Sequence, residues 1–333
     1  MNTVNETRNK LKGTKMIDAA KINPNLDKLH KYFESILEKY FDAGKPIPKY
    51  FEDVKCYNCG SREISNSFVV NRFRYVRCKK CNMVYVNPRF KEKIAHNLYS
   101  EDDYTEFYKI KLIPSINYRK NVLAVNKYNQ IKKYFSKPGK VLDIGSGLGE
   151  VLGIFQENKW KCMGVEFNKF AANYSRKKFG LAIVNKSIYD FDSSEEYDVI
   201  MFWGVLEHLY NPLKILKKVC NLLKNDGLLV LEVPSADSVL VRYYEKSLKP
   251  VDRIIEGDRH IMLFSVQSFI EMPRKAGFSA VEILSNGLDI STLNRLELNN
   301  KLDITQVNEL QVLLDSSLQG DLLRGFFKRS VTK

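Results

Sequence analysis

Three glycines stand at every second position directly after a short apolar run. The run is Lys140–Ile144, and the glycines are Gly145, Gly147 and Gly149. Glycine allows a left-handed turn and lets a ligand approach the main chain closely. A helix predicted at residues 150–158 would point its positive N-terminal end at this turn. The pattern therefore predicts a strand, a turn and a helix that together bind a nucleotide-like ligand.

A second apolar segment, residues 162–168, carries an acidic side chain about twenty positions after the turn. Glu166 can accept hydrogen bonds from both hydroxyls of a ribose. In the dinucleotide-binding fingerprint the third glycine follows the second by three positions, whereas Gly149 follows Gly147 by two. With Asp143 at the end of the first strand, this spacing favours a nucleoside sulfonium over a dinucleotide.

The N-terminal half contains two C-x-x-C pairs. They are formed by Cys56, Cys59, Cys78 and Cys81. This spacing is typical of a tetrahedral structural zinc site, in which two tight turns are joined by a hairpin. All four ligands are sulfur, so no position is open for catalysis. Two disulfides are the alternative, but nothing marks the chain as secreted, and we expect reduced thiols.

Composition indicates a globular protein with a basic surface. The chain has 333 residues, of which 44% are hydrophobic, and a formal net charge of +14. Such a charge can attract nucleic acid, but the lysines are scattered along predicted helices and form no basic arm. The same positive charge would also attract an anionic small molecule, such as a nucleotide-linked sugar. With no apolar run of about 20 residues and no signal peptide, we expect a cytoplasmic protein without a membrane span.

Further segments follow the glycine turn in the order in which class I methyltransferases that use S-adenosylmethionine carry their motifs. These segments are residues 197–212, 222–234 and 258–278. The chain resembles this family over roughly residues 138–330. The resemblance implies an α/β fold: a Rossmann-like, seven-stranded and mostly parallel sheet with helices on both faces and an antiparallel last strand. A small zinc-ribbon-like domain would precede it.

The expected domain organisation follows from these motifs. Residues 1–50 are an N-terminal helical segment, 51–95 the zinc-ribbon-like domain, 96–137 a helical linker and 138–333 the methyltransferase domain.

The resemblance also implies a set of cofactor contacts. The glycines would approach the methionine part of S-adenosylmethionine, Asp143 would orient their loop or bind the amino group, and Glu166 would bind the ribose. The remaining contacts fall in the loops after the second, third and fourth strands: Phe167, Ser187, Ile188, Trp203 and Gly204. Ser187 has the alternative of capping a helix, and Trp203 that of filling the core.

Two histidines of the catalytic face are candidates for removing a proton from the acceptor. His208 follows the fourth strand and His260 precedes the sixth, and an imidazole suits proton transfer near neutral pH. His208 has the alternative of orienting its loop through Glu207. Those two residues could also bind a divalent metal, as in ubiquinone-pathway O-methyltransferases. A catalytic metal is not expected, however, because Gly204 stands where those enzymes carry a further acidic residue.

Tyr210 and Arg259 are the candidate contacts to the acceptor, together with Glu207. Arg259 has the alternative of a charge at a helix end. Cysteine-bearing N-terminal segments occur in methyltransferases of sugar and surface-polysaccharide pathways, which this chain resembles. We therefore predict O-methylation of a sugar or related small molecule in surface-glycan biosynthesis. An RNA methyltransferase that binds its substrate through the ribbon, and an inactive cofactor-binding scaffold, are the alternatives.

Overall fold

The computed structural model describes residues 17–22, 24–98, 101–246 and 253–330. The beginning of the predicted N-terminal helical segment, residues 1–16, lies outside the described residues. Two helices open the described part, α1 (Ala19–Ile22) and α2 (Leu26–Leu37). Leu29 and Leu37 of α2 are buried, which is the apolar face that the helical spacing of this segment predicts.

The cysteine-bearing part of the chain, residues 51–90, is called the ribbon segment below. Short strands precede and form it: β1 (Phe41–Asp42), β2 (Lys45–Pro46), β3 (Phe51–Glu52), β4 (Ile64–Val70), β5 (Phe73–Cys78), β6 (Val84–Val86) and β7 (Arg89–Phe90). Strands β4 and β5 form the antiparallel hairpin expected between the two cysteine pairs.

A long helical segment connects the ribbon segment to the central sheet. It consists of α3 (Glu92–Leu98), α4 (Glu101–Phe107), α5 (Ile113–Tyr118) and α6 (Val125–Lys132), with π-helical turns at Tyr108–Leu112 and Arg119–Ala124. Pro114 lies in this segment just after the first π-helical turn, and the helical path continues through it.

The central sheet has seven strands in the order β10-β9-β8-β11-β12-β15-β14. Their bounds are β8 (Lys140–Ile144), β9 (Lys161–Val165), β10 (Ile183–Val184), β11 (Tyr197–Trp203), β12 (Leu223–Pro234), β14 (Phe278–Asn286) and β15 (Leu322–Arg329), while β13 (Met262–Leu263) lies elsewhere. Strands β8 to β12 pair in parallel, and β15 pairs antiparallel to both neighbours. The predicted Rossmann-like sheet is confirmed.

Helices flank this sheet. They are α7 (Glu150–Glu157), α8 (Lys169–Phe179), α9 (Pro212–Cys220), α10 (Val239–Tyr244), α11 (Val266–Lys275), α12 (Asp289–Glu297) and α13 (Ile304–Ser316). Strand β11 is buried on both faces, as a central parallel strand must be. The carboxyl ends of β8, β11 and β12 consequently meet at one edge of the sheet.

The ribbon segment is joined by a second sheet to the part of the chain that forms the central sheet. Strand β13, which follows His260 in the chain, pairs antiparallel with β6. The Ser265 hydroxyl at the start of α11 donates to the Cys81 carbonyl over 2.5 Å, and Asn58 donates to Glu271 of α11 over 2.8 Å. The cysteine pairs therefore lie against the helix that leads into β14. The domain boundaries given above stay a prediction.

Candidate functional site

A cavity of about 720 Å³ opens at the carboxyl ends of the central strands. Asp143 and the glycine turn form one wall, and the turn Leu206–His208 after β11 forms another. Ligands of open α/β sheets bind in this crevice, and small-molecule sites commonly enclose about 300 to 1,000 Å³. The cavity is thus the candidate active site.

The glycine turn is held by the carboxylate that the sequence assigns to the ribose. Gly145, Gly147 and Gly149 all have φ between 54° and 84°, the left-handed region that favours glycine. Glu166 accepts hydrogen bonds from the Gly147 and Asn168 amides, each over 2.8 Å. Its side chain is buried, and burial raises the pKa of the carboxyl. Turn and carboxylate therefore form one unit.

Aromatic side chains of the helical linker cover this unit. Tyr108 is buried against Leu148, and a Cβ placed on Gly147 would lie 3.9 Å from the Tyr108 ring. Burial raises the pKa of Tyr104, to which the nearby charge of Glu166 contributes. Both tyrosines also line the cavity. The linker thus covers the end of the cavity that the glycine turn forms, which the sequence did not indicate.

Several buried polar atoms of the cavity wall have no hydrogen-bond partner among the described residues, and two of them, Asp143 Oδ1 and Trp203 Nε1, lie beside the glycine turn and the end of β11. Burial raises the pKa of the Asp143 carboxyl well above its usual range. An unpaired buried polar atom is costly, so a ligand that bonds to it gains free energy. The Asp143 oxygen and the Trp203 N–H fit the amino and carboxylate groups of a methionine moiety.

Glu207, His208 and His260 come together although more than fifty residues separate the two histidines. The imidazole centroids are 4.9 Å apart, and His260 Nε2 lies 3.9 Å from Glu207 Oε1. Burial raises the pKa of Glu207 to about 8 and lowers that of His208 to about 3. The pKa of His260 is lowered too, again chiefly by burial. Burial thus disfavours the protonated, charged form of both imidazoles.

Other predicted residues lie away from the cavity. Phe167 is half exposed and contacts the ring of His96, and Ile188 is buried in the core. The Ser187 hydroxyl accepts from the Tyr189 amide over 3.3 Å. None of these three lines the cavity described here, and neither does Glu166. Their roles as cofactor contacts stay predictions.

The two predicted acceptor contacts outside the Glu207 turn differ in position. Tyr210 donates to the Phe90 carbonyl over 2.8 Å, and the Arg89 guanidinium lies 4.0 Å over its ring, so it faces the ribbon segment. Arg259 lines the cavity and forms ion pairs with Glu256 and Asp258. Of these two residues, only Arg259 therefore lines the cavity.

Sequence reasoning missed a buried ion cluster beside Trp203. Glu232 of β12 binds Arg324 of β15 over 2.9 Å and Lys127 of α6 over 3.0 Å. Burial by itself raises the pKa of Glu232, but Arg324 and Lys127 lower it to about 2. The Lys127 ammonium also lies 4.1 Å over the Trp203 ring. A charge in the middle of each apolar strand was the signal that could have indicated this cluster.

The four cysteines lie together. Cys56 Sγ is 3.4 Å from Cys81 Sγ, and Cys59 Sγ is 3.5 Å from Cys78 Sγ. These separations exceed the about 2.0 Å of a disulfide bond. All four sulfurs lie within 4.8 Å of one another, close to the about 3.8 Å expected between tetrahedral ligands at 2.3 Å from zinc. The donor set fits a zinc ion.

Gly149→Ala is expected to damage the site, whereas Gly153→Ala in the same helical region is not. A Cβ on Gly149, at φ +84°, would lie 2.1 Å from Ser175 Oγ and 2.8 Å from Leu181 Cδ1. The variant should lose at least about 2 kcal/mol of stability. A Cβ on Gly153 meets only ordinary contacts of 3.6 Å or more, so its substitution is neutral or slightly stabilising. Thermal melts of both variants check this, and equal melting temperatures would contradict it.

Residues 117–283, half of the chain, match the methyltransferase domain family. An uncharacterized protein of Methanocaldococcus jannaschii, MJ1123, is 25% identical over 162 residues, which cover 48% of this chain and 74% of that protein. The (S)-coclaurine N-methyltransferase of Papaver somniferum is 29% identical over 123 residues, covering 34% of this chain and 33% of that enzyme.

Solved structures resemble the fold at low sequence identity. The 1,6-didemethyltoxoflavin-N1-methyltransferase of Burkholderia thailandensis, with bound 1,6-didemethyltoxoflavin and S-adenosylhomocysteine, has a TM-score of 0.49 and 14% identity. The match covers 80% of this chain and 100% of that one.

The sheet order and the site at the carboxyl ends of its strands define a Rossmann-like methyltransferase fold. The chain belongs to the methyltransferase domain family and is an S-adenosylmethionine-dependent methyltransferase. Within the residues that the structure describes, none of the helices combines the length and the apolar character needed to cross a bilayer.

Proposed function

We propose that the enzyme transfers a methyl group from S-adenosylmethionine to a hydroxyl of a sugar or related small molecule, as a step of surface-glycan biosynthesis in the cytoplasm. The observation that carries this proposal is the polar extension of the active-site cavity. Beyond the glycine turn the cavity wall combines apolar side chains with a group of amide and hydroxyl side chains, which are Asn126, Gln130, Asn286, Ser291 and Gln311.

Amide side chains suit a polyhydroxylated acceptor because each can both donate and accept. Asn286 Nδ2 is buried and has no hydrogen-bond partner among the described residues, so a ligand oxygen there would remove a desolvation cost. Arg253, which is paired with Asp321, and Lys133, which is paired with Glu282, line the same extension. An anionic group such as the phosphates of a nucleotide-linked sugar would share these cations with the carboxylates.

The cofactor residues have separate tasks in this proposal. S-Adenosylmethionine supplies an electrophilic methyl group, so the protein has mainly to align the acceptor and remove its proton. Glu166 holds the ribose, the glycine turn leaves room for the methionine chain, and Asp143 accepts from its amino group. Phe167, Ser187 and Ile188 would contact the adenine, and Trp203 and Gly204 would flank the methionine part.

Proton removal is assigned to the imidazoles at the cavity mouth. His208 Nδ1 donates a hydrogen bond to the Arg259 carbonyl over 2.9 Å, and this bond fixes the orientation of the ring. Glu207 and Arg259 would contact the acceptor beside His208 and His260. Tyr210, which donates to the Phe90 carbonyl, would hold the turn that carries Glu207 and His208 against the ribbon segment.

Structural zinc in the ribbon segment is the second part of the proposal. Cys78 and Cys81 are buried, and the hydrogen bonds from Ser265 and Lys275 to this segment hold it against α11. A zinc ion there would hold the ribbon segment on the catalytic part. This packing supports a role of the ribbon segment in stabilising the fold more than a role in binding RNA.

The test is methyl transfer from labelled S-adenosylmethionine to a panel of nucleotide-linked and free sugars, with total RNA in parallel. We expect turnover on a sugar and none on RNA. His208→Ala should lower kcat by about 10²- to 10⁴-fold, because a positioned acid–base group commonly contributes that much, with S-adenosylmethionine binding unchanged. His96→Ala, at an exposed histidine outside the cavity, is the control. Turnover on RNA alone would contradict the proposal, and full activity of His208→Ala would refute the role of His208.

A further inference from the structure

Three side chains that can bind a metal converge at the mouth of the active-site cavity. Glu207 and His208 lie on the turn after β11, and His260 lies just before β13. One ligand atom of each lies within 4.8 Å of the other two. Tetrahedral ligands at 2.0 to 2.1 Å from a metal lie about 3.4 Å apart. Small side-chain rotations would therefore bring these three ligand atoms to the distances that a bound metal requires.

Both imidazoles are oriented in the way that metal-binding histidines are. His208 Nδ1 is 2.9 Å from the Arg259 carbonyl, and His260 Nδ1 is 2.6 Å from the Ile254 carbonyl. A carbonyl can only accept, so each Nδ1 carries the ring proton and each Nε2 carries the lone pair. Metal-binding histidines typically donate their second ring nitrogen in this manner, which fixes the tautomer.

The carboxylate of this group independently points to a ligand. Glu207 is only 2% exposed, and its Oε2 has no hydrogen-bond partner among the described residues. A buried carboxylate oxygen without a partner is costly in free energy. A cation bound between Glu207 and the imidazoles would remove that cost.

The charges around these three residues are compatible with a cation. Glu256 places a second carboxylate 3.9 Å from His260 Nε2. The Arg259 guanidinium is paired with Glu256 and with Asp258, each at 3.2 Å, and lies 4.0 Å over the Phe33 ring. Carboxylates beside Arg259 thus offset its charge.

We propose that Glu207, His208 and His260 bind a divalent transition-metal ion, separate from the zinc proposed for the cysteines. Two imidazoles and one carboxylate suit zinc, cobalt or iron(II) better than magnesium.

The catalytic role of this ion rests on the proposed function. Glu207, His208 and His260 would hold the ion, which would act as a Lewis acid toward the acceptor hydroxyl and lower its pKa. With the ion bound, water would take the proton in place of the imidazoles, which would then serve as ligands. The oxygen electron pair then forms the bond to the methyl carbon, and the carbon–sulfur pair returns to sulfur as a thioether. No oxidant or reductant is needed.

A cobalt titration of the full-length protein, with zinc already loaded on the cysteines, tests the site without any acceptor. We expect one further equivalent of Co²⁺ to bind, with the weak visible bands of nitrogen and oxygen ligands and no thiolate charge-transfer band. His260→Ala and Glu207→Gln should each weaken this binding at least about 100-fold, because loss of even an outer-shell partner costs 10- to 100-fold. His96→Ala should bind as the unmodified protein does.

Zinc content and melting temperature show whether each variant is folded. Should Glu207→Gln fail to fold, His260→Ala gives the answer, since its side chain is partly exposed at the cavity. No binding beyond the cysteine site, or unchanged binding in His260→Ala, would overturn the metal proposal. Cobalt binding without methylation of any sugar would instead overturn the proposed acceptor and leave the metal site standing.

Discussion

Replacing Glu166 with alanine is expected to weaken S-adenosylmethionine binding by about 100-fold. Hydrogen bonds to a charged group contribute about 1.5 to 3 kcal/mol each, and losing those to a ribose removes roughly 3 kcal/mol. The Gly147 and Asn168 amides lose their acceptor as well, because each donates a hydrogen bond of 2.8 Å to the Glu166 carboxylate. Calorimetric titration with S-adenosylmethionine and S-adenosylhomocysteine measures the effect.

Two controls separate the ribose contact from damage to the turn. Glu166→Gln keeps the size and one acceptor oxygen, so it should lose less affinity than Glu166→Ala. Glu196→Ala removes an exposed carboxylate elsewhere on the surface and should bind as before. Unchanged affinity in a folded Glu166→Ala variant would refute the assignment of Glu166 to the ribose.

Replacing Cys78 with serine is expected to remove one equivalent of zinc and to lower the melting temperature sharply. Structural zinc contributes folding free energy directly, with apparent values of about 10 to 16 kcal/mol in zinc-finger peptides. The loss should spread beyond the ribbon segment because β6 pairs with β13 next to His260. Metal analysis of reduced protein and a thermal melt check both parts.

Cys220→Ser is the matched control for the zinc prediction. Cys220 ends α9 and lies apart from the four-cysteine cluster, with its sulfur 3.9 Å from the Gly277 carbonyl. Its substitution should keep the zinc and cost little stability. Zinc content that does not fall in Cys78→Ser, or unmodified protein purified without zinc, would reject the structural metal.

The local sequence pattern was sufficient to predict the strand and the helix on either side of the glycine turn. The apolar run at Lys140–Ile144 is β8 with those bounds, and the helix expected at residues 150–158 is α7. The antiparallel last strand, which the family resemblance implies, is β15. Hydrophobic periodicity and glycine spacing determine such elements because both act between neighbours in the chain.

Contacts between distant segments could not be predicted in the same way. Nothing in the sequence places Tyr104 and Tyr108 over the glycine turn, or turns Tyr210 toward Arg89 and the ribbon segment. These positions depend on how the helical linker and the ribbon segment pack on the sheet. Packing of that kind is decided by shape and burial over the whole molecule.

The sequence by itself determined the class of fold, the glycine turn with its carboxylate, and the spacing of the four cysteines. Only the tertiary structure decided that His260 lies beside Glu207 and His208, because the pairing of β13 with β6 fixes the segment that carries it. The physical reason is the distance along the chain over which each interaction acts. Turn chemistry and periodicity act over a few residues, whereas a site built from separate loops exists only after the sheet has brought their ends together.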